Sequence, residues 1–107
     1  MSEFDDRERA AETKFSLDQE LEFKAQARRA KLVGLWVASL MGLSGQAADD
    51  YAKSMVIADL EEAGIEDLFR KIRRDLDQNA VQLSDHQIRA KMEELLAVAR
   101  GQIQAGT

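Results

Sequence analysis

Cysteine and proline are both absent from the 107 residues. Without cysteine there is no disulfide, no thiol nucleophile and no thiolate metal site. The redox compartment stays open, and nothing in the chain asks for an oxidising one. Without proline no residue breaks a helix from within, and abundant Ala, Leu, Glu, Lys, Arg and Gln favour helix. Aromatic residues are scarce at 6%, and histidine occurs once, so few side chains suit acid–base or stacking roles. An excess of cations is also missing. Fifteen Lys and Arg against twenty Asp and Glu leave a net charge of −5, which provides no positive field for nucleic acid or an anionic membrane. The longest apolar stretch, Leu32 to Leu43, is interrupted by Gly34 and Ser39; it is far short of the roughly twenty residues a membrane span needs. The acidic, charged stretch Met1 to Arg9 lacks the apolar segment of a secretory signal. A soluble, cytoplasmic protein without membrane insertion is expected.

What is present is helix punctuation. Hydrophobic residues make up 45% and charged residues 33% of the chain, a balance that suits one small domain with a core under a charged surface. Ser16 and Gln19 have capping-box spacing and Gly42 closes the same segment, which predicts a helix from Leu17 to Met41. Leu21, Ala25, Arg28, Leu32, Leu35, Trp36 and Leu40 recur on one face of it. Arg28 can follow that face through its aliphatic stem. Ser44 is the next N-cap candidate, opening a helix to about Ala63 with Ala48, Tyr51, Ala52, Met55 and Ala58 inward and Gly64 as its C-cap. A third helix carries the stripe Ile65, Leu68, Phe69, Ile72 and Leu76, with Glu66 and Asp67 at its dipole-favoured start. Asn79 to Leu83 connects it to a fourth helix, opened by the Ser84 and Gln87 capping pair and running to about Gln102. Ile88, Met92, Leu95, Leu96, Ala99 and Ile103 form the inner face of that helix. Short connections make these helices neighbours. The predicted fold is all-α, a small four-helix bundle over residues 20–107 with a mobile or partly helical N-terminal arm over residues 1–19.

The arm differs in composition from the body. Phe4, Ala11 and Phe15 share a narrow helical face among Asp5, Asp6, Arg7, Glu8, Arg9, Glu12 and Lys14. An isolated short helix is marginal in water, so the free arm is expected to fray and to order on a partner. Phe4 and Phe15 would anchor it, and the charges of Asp5, Asp6, Arg7, Glu8, Arg9 and Lys14 would select the partner.

The body offers little chemistry. His86 sits at a helix start without a nucleophile beside it, so catalysis is not expected. Asp75, Asp77 and Asn79 imitate the opening of a calcium loop, but the sixth and twelfth positions, which need Gly and Glu, hold Ala80 and His86. Arg70, Lys71, Arg73 and Arg74 are interleaved with Glu66, Asp67, Asp75 and Asp77 and read as a salt-bridged face. No cofactor or metal is expected. An adenine nucleotide acting as a modulator would find only this basic cluster and the helix-start turn Gly42-Leu43-Ser44-Gly45 to meet it.

The series Phe4-Asp5-Asp6-Arg7-Glu8-Arg9, Lys14-Phe15, Phe23-Lys24-Ala25, Arg28-Arg29, Gly34-Leu35-Trp36, Leu40-Met41-Gly42, Ser44-Gly45, Glu62-Ala63-Gly64 and Glu66-Asp67 resembles the zeta subunit family of alphaproteobacterial F-type ATP synthases. The stretch Arg73 to Asn79 departs from that family's pattern. The resemblance implies a regulatory protein that inhibits ATP hydrolysis by the catalytic head of the synthase. It implies a four-helix body whose arm enters an interface between alpha and beta subunits near the gamma stalk, orders as helix, and blocks rotation in the hydrolysis direction. The partners would be the alpha, beta and gamma subunits, met by a monomer that is membrane-associated only through the synthase. The residues alone leave a second reading open, a generic helical interaction module with a disordered tail.

Overall fold

The computed structural model describes the backbone of residues 2–106 and the side chains of residues 18–106. Four helices follow one another: α1 (Ser2–Leu40), α2 (Gly45–Glu61), α3 (Ile65–Gln78) and α4 (Asp85–Gln104). The order and class are those the sequence predicts.

Helix α1 departs from expectation at its start. It begins at Ser2, so Ser16 and Gln19 lie inside a helix rather than at its N-cap. No glycine or proline occurs between Ser2 and Val33, and Ala, Glu, Arg and Lys carry the helix straight through the expected boundary. At 1.5 Å per residue its 39 residues span about 58 Å.

The inner face of α1 is also rotated from the expected one. Ala25, Arg29, Ala30, Val33, Val37 and Ala38 are buried, whereas Leu32, Leu35, Trp36 and Leu40 are half-buried and Leu21 is exposed. The reason is that α1 packs along both α2 and α4. A helix held on two sides buries the middle of a broad face, and small residues let both neighbours approach while larger ones fill the flanks. Gly34 sits at one close contact: a Cβ there would lie 2.7 Å from the Cα of Ala52 and 3.2 Å from the Cβ of Met55.

The remaining helices supply the other side of the core. Met55, Ile72, Leu76, Ile88 and Met92 are fully buried against Val33 and Val37. Leu68 and Phe69 join them as the α3 stripe predicts, while Ile65, in the first residue of α3, stays exposed. On α4, Ile88, Met92 and Ala99 are buried and Leu95, Leu96 and Ile103 half-buried.

Between α2 and α3 one cap differs from the sequence reading. Gly64 does not cap α2, which ends at Glu61 with Glu62 as its C-cap. Gly64 is instead the N-cap of α3, at φ 151°, a conformation that suits a residue without Cβ. Ser44 stands at the N-cap of α2 without a side-chain capping bond. The α4 box is complete: Gln87 N–H donates to Ser84 Oγ at 3.1 Å, and Ser84 N–H donates to Gln87 Oε1 at 3.0 Å.

Candidate functional site

The arm residues singled out from the sequence, Phe4, Asp5, Asp6, Arg7, Glu8, Arg9, Lys14 and Phe15, all fall within the span of α1. Their side chains lie outside the described residues. The described part of the site is the root, where α1 meets the last turns of α4. A groove of about 200 Å³ is lined there by Asp18, Leu21, Glu22 and Ala25 of α1 and by Arg100, Ile103 and Gln104 of α4. Because α4 ends at Gln104, α1 reaches the end of its partner near Asp18. The helix carries a further sixteen residues N-terminal to that point.

Polar contacts dominate the root. The guanidinium of Arg100 grips Glu22 with two bonds, Nη2 to Oε1 at 2.6 Å and Nε to Oε2 at 3.1 Å. That grip holds the Glu22 carboxyl below the usual carboxylate range. Arg28 Nη1, six residues further along α1, donates to Gln102 Oε1 at 2.8 Å. Beside them Arg29 is 5% exposed, and its Nε is buried with no hydrogen-bond partner among the described residues. Burial pushes the Arg29 guanidinium down, opposed by the charges of Asp59 and Glu22 and assisted by that of Arg100. Burial likewise pushes the Asp59 carboxyl up, against the pull of Arg29.

The basic cluster on α3 is engaged internally. Arg70 pairs with Asp67, Lys71 with Asp75 at 3.2 Å, and Arg73 with Asp77 at 2.7 Å and Asp85 at 3.1 Å. Arg70, Lys71 and Arg74 line a cleft of about 380 Å³ shared with Asp59, Glu61, Glu62 and Asp67, so acidic groups outnumber the cations around it. The calcium-like triplet is dispersed. Asp75 accepts from the Tyr51 hydroxyl at 2.6 Å, Asp77 faces Arg73, and Asn79 caps α3. Among the described residues no group of three or more acidic or histidine side chains is placed to hold a metal. His86 is exposed in the first turn of α4.

Sequence reasoning missed the junction residues Arg29, Glu22 and Arg100. A buried arginine one position from the expected Arg28 follows from the rotated face, and the only signal was the run Ala30, Val33, Val37 set one step from the large apolar residues. The Glu22–Arg100 pair joins residues 78 positions apart, which no local pattern announces.

The family model for ATPase inhibitor subunit zeta matches residues 1–102. The chain belongs to that family. Its role is accordingly regulatory, that of an ATPase inhibitor subunit. A protein whose structure was solved by solution NMR is 48% identical over 81% of this chain and 99% of its own, with a TM-score of 0.70. No curated protein matches the chain. In this zeta-family protein, no described helix is long and apolar enough to cross a membrane.

Proposed function

We propose that the chain, as a monomer, inhibits ATP hydrolysis by the catalytic head of an F-type ATP synthase, with residues 1–19 as the inhibitory arm and residues 20–107 as the body. The arm enters between alpha and beta subunits beside gamma and obstructs rotation in the hydrolysis direction. Association with the synthase accounts for its place at the membrane. Phe4 and Phe15 provide the apolar anchors, and Asp5, Asp6, Arg7, Glu8, Arg9 and Lys14 provide charge complementarity.

The observation that carries this reading is the length of α1. One uninterrupted helix joins the bundle to a segment that starts at Ser2, sixteen residues before the groove residue Asp18. A helix continuous with a packed body transmits a load along its axis. A tail joined by a flexible linker would yield instead, so helix continuity suits an obstructing element. Family membership supports the inhibitory role.

A photo-crosslinker tests the contact directly. Placed at Ala10, it is expected to react with alpha, beta or gamma when the chain is mixed with purified catalytic head and ATP. Placed at Val98, exposed on α4, it is expected to react much less. Crosslinks from position 98 with none from position 10 would contradict the arm.

A further inference from the structure

We propose that Glu22 is a positioning residue for inhibition: through its paired bonds with Arg100 it fixes the line along which the arm-bearing end of α1 leaves the body. This rests on the arm reading above and specifies what aims the arm.

The root has little apolar area to hold it. Among the α1 residues in the root groove, Ala25 is buried but small, and Leu21 is 39% exposed. Across the groove Ile103 is only half-buried. Orientation there falls to the directional contacts. A guanidinium gripping a carboxylate by two roughly parallel bonds constrains angle as well as distance, which a single point contact does not. Of the two hydrogen-bonded side-chain pairs described between α1 and α4, Glu22–Arg100 starts from the α1 residue nearer the arm.

An ordinary exposed ion pair contributes little. This one is tied to a buried charge. The Nε of Arg29 has no hydrogen-bond partner among the described residues, and its cation is favoured by the charges of Asp59 and Glu22 while opposed by that of Arg100. Glu22 therefore serves two arginines. Removing its charge leaves Arg29 and Arg100 as like charges at one junction, with Asp59 still favouring the Arg29 cation. The consequence is that Arg100, its side chain 51% exposed, turns toward solvent, and α1 loses the paired bonds that restrain its angle against α4.

Glu66 and Arg89 provide an internal control. They form a second bidentate pair, at 2.9 and 3.0 Å, between the starts of α3 and α4, and they involve no part of α1. A role limited to general stability would make the two pairs interchangeable.

The test compares full-length Glu22→Gln, Glu66→Gln and the charge-swapped Glu22→Arg/Arg100→Glu chain. Each is assayed for half-inhibition of ATP hydrolysis by a purified F-type catalytic head and for amide hydrogen exchange over residues 18–25. Glu22→Gln is expected to raise the half-inhibitory concentration about tenfold and to speed exchange over 18–25. Glu66→Gln is expected to change inhibition less than about twofold, and the swapped pair to recover most of what Glu22→Gln loses. Unchanged inhibition by Glu22→Gln, or an equal loss in Glu66→Gln, would overturn the proposal. A full-length Phe4→Ser/Phe15→Ser chain separates this from failure of the arm reading. If that chain inhibits normally the arm reading fails, whereas if it is inactive while Glu22→Gln is fully active only the positioning role fails.

Discussion

Gly34 and Ala52 hold α1 and α2 in close contact, where a Cβ on Gly34 would stand 2.7 Å from the Ala52 Cα. Backbone atoms cannot swing aside as a side-chain tip can, so the two helices must separate to admit even a methyl group. Gly34→Ala is expected to destabilise the fold by about 1–3 kcal/mol in urea unfolding. At an unconstrained helical position the same substitution stabilises by roughly 0.5–1 kcal/mol, so the sign of the change is diagnostic. A more stable variant would show that the helices are not closely packed there.

Tyr51 and Asp75 connect α2 to α3. The Tyr51 hydroxyl donates to Asp75 Oδ2 at 2.6 Å, and burial together with this bond pushes its pKa well above the ordinary tyrosine value. Asp75 keeps Lys71 at 3.2 Å when the hydroxyl is removed. Tyr51→Phe is therefore expected to cost about 1 kcal/mol, seen as a lower urea midpoint with an unchanged slope. No loss of stability would mean that the bond exchanges evenly with water.

The α4 capping box makes a sharper local prediction. Ser84→Ala removes the acceptor of the Gln87 N–H and is expected to cost about 1 kcal/mol. Ser44 makes no equivalent bond, so Ser44→Ala should change stability by a few tenths of that at most. Equal losses at the two positions would contradict the geometry.

Acid sensitivity follows from the bidentate pairs. Arg100 holds the Glu22 carboxyl, and Arg89 the Glu66 carboxyl, below the ordinary value of 4.5. A carboxyl depressed in the folded state contributes stability above its unfolded pKa and loses it as pH falls through the folded one. Asp59, raised by burial, acts with the opposite sign, since protonation relieves its desolvation. Glu22→Gln/Glu66→Gln is expected to show a shallower loss of urea stability below pH 4.5 than the parent chain. Parallel profiles would remove both pairs from the acid response.

The amphipathic stripes of α3 and α4, and the Ser84–Gln87 cap, were legible because each is encoded within one or two turns. Leu68, Phe69, Ile72 and Leu76 needed no partner to be recognised as a buried face. Helix α1 was harder to read for two physical reasons. Its start carried a capping signal at Ser16, but strong helix formers on both sides override a cap when nothing forces the chain to turn. Its inner face is shared by two neighbours, so the large apolar residues sit at the edges and Ala30, Val33 and Gly34 at the contacts. Gly64 carries an ambiguous signal, because a glycine between two helices can end the first or open the second. The junction of Glu22, Arg29, Asp59 and Arg100 draws on α1, α2 and α4, and only the folded arrangement brings those charges together. The arm's candidate role came from the ordered resemblance across the chain rather than from any spacing within it.

The most direct measurement is ATP hydrolysis by a purified alphaproteobacterial F-type catalytic head, titrated with the full chain and with a chain beginning at residue 20, the latter first checked by circular dichroism for retained helix. The account predicts inhibition by the full chain and none by the folded, truncated one. Equal inhibition by both would place the inhibitory contact in the four-helix body and contradict the arm.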